Sequence, residues 1–231
     1  GTTWALDLRG ATVQRRHQKV VEESPAPGVP LDVDRAMRAA AVRLCRAAGL
    51  ENLGAVEFLY EPATRDFHFM EVNPWLQVEN RVTELTTGID LAMLQIHLAR
   101  GGLLRGDPPP CTGHAVEVRI TVEDAERGFT PTPGAVRVLR VPTRTGLRLD
   151  SGVNEGDVVR PEYDSMFAKL IGWGRTREEA LDTLVGGLAD ATIIVEGGVS
   201  NRAFLCTARS ICPASMRSSI SATNTPTPVS W

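Results

Sequence analysis

Three consecutive prolines, Pro108, Pro109 and Pro110, constrain this chain more than any other feature. Proline donates no backbone hydrogen bond and fixes φ, so neither a helix nor a central strand can run through the triplet. The sequence therefore divides there, into residues 1–107, 108–205 and a compositionally different end, 206–231. Before the prolines the pattern mixes strand and helix. A strand is predicted over 3–8. A helix is predicted over 33–48, from the apolar stripe Val33, Met37, Ala41, Leu44 and Ala48, with Gly49 as its stop. Residues 55–60 and 67–73 read as two strands joined by a turn. A further helix over 91–99 has Asp90 as its N-cap and Gly101-Gly102 beyond its end. After the prolines the chain turns β-rich, with strands expected over 114–121, 136–141, 146–150 and 166–173. Thr176 and Glu179 have capping-box spacing for a helix ending near Ala191. From Cys206 onward there are ten Ser or Thr and no Asp or Glu, and no period is sustained, so 206–231 is expected to lack stable packing.

Composition removes several classes of function. A net charge of −3 gives no electrostatic case for binding nucleic acid or an anionic membrane. No apolar run reaches the length of a membrane span, and no basic-then-apolar leader opens the chain. The four cysteines (Cys45, Cys111, Cys206 and Cys212) have no metal-ligand spacing and read as free thiols of a reducing cytosol. The chain opens at Gly1, in strand-like sequence, which suggests a piece of something longer.

Three stretches carry chemistry. In Glu71-Val72-Asn73-Pro74-Trp75-Leu76-Gln77-Val78-Glu79, an extended backbone would put Glu71, Asn73, Trp75, Gln77 and Glu79 on one face. Pro74 makes a bend or an end of the strand expected there. A row of oxygen ligands suits a hard cation such as Mg²⁺, and Glu57 on the preceding strand could face Glu71 across the hairpin. The same pattern would also suit a solvated strand face. The run Gln14-Arg15-Arg16-His17-Gln18-Lys19 offers cations and amides to phosphate or bicarbonate oxygens, or is simply a solvated charge run. Glu117 and Arg119 share a strand face, where an arginine could hold an oxyanion or make a cross-strand ion pair.

Five segments occur in order: QRRHQKVVEESPAP from Gln14, EVNPWLQVENRVTELTTGIDL from Glu71, GHAVEVRI from Gly113, FTPTPG from Phe129 and YDSMFAKLIGWG from Tyr163. Each resembles a signature of biotin carboxylases, the ATP-grasp components of acyl-CoA, pyruvate and related carboxylases, and the resemblance runs from Gly1 to about Leu205. It implies an α+β fold. Residues 1–107 would be the later part of an ATP-grasp domain with an antiparallel sheet carrying Glu57, Glu71 and Glu79. Residues 108–205 would be a β-rich C-terminal domain.

The resemblance also implies an activity: ATP and bicarbonate give carboxyphosphate, and biotin on a carrier domain is then carboxylated. Residue by residue, it places Mg²⁺ or Mn²⁺ at Glu57 and Glu71 with Asn73 beside them. His17 and Gln14 would contact ATP, and Leu59 would pack on adenine. Lys19, Glu79 and the Val78 backbone would handle bicarbonate, with Glu79 as the base. Arg119 would stabilise the biotin enolate. Implied partners are a biotin carboxyl carrier domain, a carboxyltransferase and a second copy of the intact enzyme, in the cytoplasm and in fatty acid metabolism.

The sequence departs from the pattern at several places. Trp75 stands where the family has an arginine, Asn80 and Arg81 replace a His and a Pro, and Gly10 and Ala11 replace an Asp-Cys pair. The family's first domain, glycine-rich lid and ATP-binding lysines would precede Gly1, so the 231-residue chain by itself is expected to be inactive. Two other readings are a non-catalytic relative serving as a nucleotide-binding or dimerisation module, and an ATP-grasp ligase acting on amino acids or purines. The latter leaves the Arg119 segment unexplained.

Overall fold

The computed structural model describes residues 1–15, 18–160 and 162–212. In chain order the elements begin with β1 (Gly10–Arg15), β2 (Gln18–Ser24), α1 (Leu31–Ala47), β3 (Ala55–Glu61), β4 (Asp66–Asn73), α2 (Asn80–Thr87) and α3 (Leu91–Ala99). Beyond the prolines come β5 (His114–Thr121), β6 (Glu123–Asp124), β7 (Thr130–Pro131), β8 (Gly134–Arg140), β9 (Leu147–Ser151) and β10 (Val158–Val159). The chain continues through β11 (Met166–Gly174), α4 (Arg177–Asp190), β12 (Thr192–Glu196), α5 (Arg202–Leu205) and α6 (Ala208–Ile211). The fold is α+β with antiparallel sheets, as the sequence implies.

The central sheet has the order β1-β2-β5-β11-β9 and is antiparallel throughout. The β2–β5 ladder, with Val21 opposite Val118 and Glu22 opposite Glu117, joins backbone from both sides of the proline triplet into one sheet. Alternation then separates two faces. Val21, Val116, Val118, Ile120 and Leu170 form the dry face, covered by Leu181, Leu184 and Leu188 of α4. Burying each such leucine is worth about 1.5–3 kcal/mol. The helix comes so close that a Cβ at Gly172 would lie 2.5 Å from the Ala180 carbonyl oxygen. Thr176 caps α4 by accepting from Glu179 N–H, while the Glu179 carboxylate accepts from Arg175 N–H.

The opposite face is mixed. Ala115 and Ile171 pack there against Val82 of α2, and beside them stand Glu22, Glu117, Arg119 and Lys169. The strands β3 and β4 make a separate two-stranded hairpin, in which Glu57 is the direct partner of Glu71.

Four expectations need correction. Residues 3–8 form no strand: Leu8 accepts one backbone bond from Ala26, and the segment is held instead by Trp4 Nε1 on the Gly106 carbonyl and by Asp7 on Arg38. Second, α2 is a helix that the Val/Thr-rich segment did not announce. Val82 is fully buried on the sheet, and Gly88 at φ 74° closes the helix. Tertiary packing overrides weak propensity here. Third, Glu79 is not on a strand; β4 ends at Asn73, before Pro74, and Glu79 is the N-cap residue of α2.

The fourth correction concerns 206–231. Up to Cys212 this segment is packed: Ala208 and Cys212 are buried, and the Cys212 carbonyl accepts from Arg177 Nη2 at 3.2 Å. Burial of the apolar Leu205, Ala208 and Cys212 anchors this stretch. Residues 213–231 lie outside the described residues.

Candidate active site

Glu79 is the centre of the site. Lys19 Nζ, from β2, donates to its Oε1 at 2.7 Å and to Glu57 Oε1 at 2.8 Å. Arg119, from β5, reaches Glu79 Oε2 at 3.3 Å and gives its Nε and Nη2 to Glu22 Oε1, the Nε at 2.8 Å. Lys169 of β11 donates to the Val78 carbonyl and to Asn80 Oδ1 at 3.4 Å, fixing the turn that leads into α2. Three neighbouring strands thus present three cations to one short segment, Val78 to Asn80.

These contacts set the charge states. Burial works to raise the Glu79 carboxyl, but the Arg9 charge, the Lys19 hydrogen bond and a backbone bond hold it below its ordinary value. Glu57 behaves alike: burial opposes ionisation, and the Lys19 and Gln77 donors outweigh it. Burial disfavours the Lys19 ammonium, yet its bonds to Glu57 and Glu79 raise it above the usual lysine value. At neutral pH the centre is therefore a carboxylate pinned between fixed cations.

The hairpin supplies a second cluster. Asn73 Nδ2 donates to Glu57 Oε1 at 3.2 Å and to Glu71 Oε1 at 3.0 Å, so both carboxylates converge on one amide. Among the described residues no group of three His, Cys, Asp or Glu side chains gathers as a metal site. Two carboxylates and an amide that can turn its oxygen inward fit Mg²⁺, which takes one or two carboxylates and completes its shell with substrate oxygens and water.

The predicted residues therefore separate. Lys19, Glu57, Glu71, Asn73, Val78, Glu79 and Arg119 come together. Gln14 does not join them; its side-chain amide donates to the Ala11 carbonyl at 2.7 Å, within its own strand. Leu59 stands on β3, 59% exposed. His17 lies outside the described residues. Arg15 turns away to pair with Glu123 at 3.0 Å and to lie over the Phe129 ring. Trp75 is 55% exposed and makes no hydrogen bond among the described residues.

Residues not singled out in the sequence complete the arrangement. Gln77 bridges, donating to Glu57 at 2.8 Å and accepting from Arg9 at 2.5 Å. Its only sequence signal was its place in the Glu71–Glu79 alternation. Glu22 and Lys169 lie in two of the quoted segments, but nothing local marks their roles, since their partners come from strands distant in sequence.

Comparison with known proteins identifies the chain's domains. The family described as "Carbamoyl-phosphate synthase L chain, ATP binding domain" matches residues 4–106, and "Biotin carboxylase C-terminal domain" matches 117–213. The chain carries the paired domains of the biotin carboxylase family. It is 43% identical over 195 residues to the biotin carboxylase of Haemophilus influenzae, covering 84% of this chain and 43% of that protein. It is 48% identical over 183 residues to the biotin-dependent acyl-coenzyme A carboxylase alpha3 subunit of Mycobacterium leprae, covering 78% and 30%. The biotin carboxylase domain of Hydrogenobacter thermophilus 2-oxoglutarate carboxylase, solved with MgADP, ADP and bicarbonate, superposes with a TM-score of 0.82 at 31% identity. That match covers 87% of this chain and 44% of the other. The chain spans 25–44% of the length of the curated relatives it matches.

Proposed function

We propose that this chain supplies the bicarbonate- and biotin-facing part of a biotin carboxylase, a ligase that carboxylates biotin on a carrier domain at the expense of ATP, within an acyl-CoA carboxylase. The observation that carries the reading is the convergence of Lys19, Glu79 and Arg119. Glu79 takes the proton of bicarbonate, whose oxygen then attacks the terminal phosphorus of ATP, releasing ADP and giving carboxyphosphate. A carboxylate held below its ordinary pKa is a weak base, but an incoming anion competes for Lys19 and Arg119. As Lys19 turns to the substrate and Arg119 shares its charge with it, the proton affinity of Glu79 rises.

Lys19 and Arg119 hold developing negative charge, Arg119 on the side where the biotin enolate forms. Lys169 fixes the Val78 backbone beside them. Mg²⁺ or Mn²⁺ at Glu57, Glu71 and Asn73 would neutralise phosphate charge, with Leu59 offering its exposed side chain to adenine. Gln14 and His17 remain assigned to ATP on the family resemblance. Residues 1–107 act as the later part of the ATP-grasp domain and 108–205 as the C-terminal domain. The proposed setting is cytoplasmic fatty acid metabolism with a carboxyltransferase and a second copy as partners. Among the described residues no helix is long and apolar enough to cross a membrane.

Trp75 favours a second reading, a non-catalytic nucleotide-binding or dimerisation module. An indole donates one hydrogen bond and carries no charge, unlike the bidentate guanidinium of the family pattern. Arg81 does not stand in, because Glu84 and Asp150, the latter at 2.9 Å, engage it. One experiment tests both readings: residues 4–205 replace the matching part of the Haemophilus influenzae enzyme, either unchanged or with Trp75→Arg. The lost charge-assisted contact costs about 2–5 kcal/mol, roughly thirty-fold to several-thousand-fold. The graft carrying Trp75→Arg should show bicarbonate-dependent ATP hydrolysis and biotin carboxylation, and the unchanged graft correspondingly less. Silence of both grafts, with the graft folded, overturns the enzymatic reading. Equal activity removes the case for Trp75 as a lesion. The 231-residue chain by itself should hydrolyse ATP near background.

A further inference from the structure

Beneath Arg119 lies a carboxylate pair that the proposed chemistry does not use. Glu22 and Glu117 are direct register partners on β2 and β5, so their Cβ atoms stand roughly 5 Å apart on one face of the sheet. Both side chains are fully buried, and three of their four oxygens, Glu22 Oε2 and both oxygens of Glu117, receive no hydrogen bond among the described residues. The surrounding charges do not fill the gap. Arg119 spends its Nε and Nη2 on Glu22 Oε1 and Glu79, and Lys19 is shared by Glu57 and Glu79. Lys169 Nζ pairs with Glu117 Oε2 as an ion pair at 3.3 Å without a hydrogen bond to it, two of its three N–H groups going to Val78 and Asn80. Beyond Lys169, Asp150 on β9 is engaged by Arg81 and Arg148. On its far side Glu117 faces Ile171, part of the apolar patch under α2.

Two ionised carboxylates cannot share such a site without a donor between them. We propose that Glu117 keeps a proton and donates it to Glu22 Oε2, so that the pair carries a single negative charge and holds the Arg119 guanidinium, through Glu22, in its orientation toward Glu79. In support, burial is the largest influence on Glu117 and pushes its carboxyl up to about 8; Lys169 opposes this and the Glu22 charge adds to it. Glu117 and Glu22 are then positioning residues: both are fully buried on the sheet face that carries Arg119, and each acts through Arg119. The consequence for Arg119 rests on the function proposed above, but the protonation does not.

The test needs no catalysis. In the full chain labelled with ¹³C at the glutamate side-chain carboxyl, one glutamate resonance should stay at the protonated position at pH 7. Glu117→Gln should abolish it, and Glu71→Gln, on the exposed hairpin, should leave it in place. Glu22→Gln removes the like charge, so the Glu117 midpoint should fall by a unit or more, a tenfold loss of proton affinity. That second variant decides the matter where Glu117→Gln does not fold. A spectrum with every glutamate ionised at pH 7 overturns the proposal. So does a resonance that survives Glu117→Gln, or a Glu117 midpoint unmoved or raised by Glu22→Gln. A failure of the grafted enzyme to turn over, with this resonance present, would count against the proposed function alone.

Discussion

Replacing Arg119 by methionine should destabilise the chain through Glu22 rather than through lost packing. Arg119 has a side chain only 12% exposed; methionine keeps most of its stem and removes the guanidinium, which is bonded twice to a carboxylate with no exposure. A buried charge stripped of its partner costs about 3–5 kcal/mol. For a chain of this size each kcal/mol moves Tm by roughly 2–4 °C, so a loss of about 6–20 °C is expected in a thermal melt at pH 8. Acid should narrow the gap. Burial already holds the folded Glu22 carboxyl above its ordinary value against the pull of Arg119, and without Arg119 it rises further, so the penalty, present at high pH, disappears as pH falls and Glu22 takes a proton. Glu22→Gln combined with Arg119→Met should recover most of the loss, a coupling well above the few tenths expected of independent sites. A single-variant loss under about 1 kcal/mol, a pH-independent loss, or simple additivity in the double variant would refute this account of Arg119.

The pH dependence of stability should have two limbs of different origin. Burial opposes ionisation of Glu23, Glu57 and Glu79, but their hydrogen-bonded and charged partners hold them below the ordinary value. Their contribution is therefore present above about pH 4.5 and is lost as pH falls through their depressed pKa values. Glu117 acts in the opposite sense: with its carboxyl raised to about 8, stability present below its unfolded pKa is lost as pH rises toward 8. One proton can tilt that limb by at most about 1.4 kcal/mol per pH unit, and Glu117→Gln should flatten it in a Tm series over pH 5–9. Gly172→Ala should cost about 1–3 kcal/mol by urea denaturation, because the new methyl would meet the backbone of α4 at Ala180 and Leu184.

What was legible in the sequence follows how local each signal is. Thr176 and Glu179 lie three residues apart and report a helix start by themselves; Asp90, which accepts from Met93 N–H at 2.8 Å, does the same for α3. The β3–β4 hairpin was readable because its turn and both alternating strands are contiguous, and with it the facing of Glu57 and Glu71. α2 was not, because Val and Thr are weak helix formers and the stabilisation comes from Ala115 and Ile171, roughly 30 and 90 residues away in sequence. Missing that helix misplaced Glu79, which looked like the last member of a strand face and is instead a helix cap aimed at the sheet. The buried Glu22–Glu117 pair was half visible: Glu117 and Arg119 were expected to share a face, but nothing near Glu22 in sequence announces its partner.

The site's two clusters ride on different supports, and this bears on how the cations act. Arg119 and Lys169 are register partners on adjacent central strands, backed by the dry face and α4. Glu57 and Glu71 belong to a hairpin whose ladders, among the described residues, join only each other. Side chains connect the two: Lys19 bridges Glu57 to Glu79, and Gln77 ties Glu57 to Arg9. A cation bound at the hairpin would weaken the hold of Glu57 on Lys19, because both compete for the same carboxylate. Lys19 would then be freer to meet an incoming anion beside Glu79. Charge placed on one support is thereby felt at the other through a single ammonium group, while Arg119, held from below by Glu22, keeps its place.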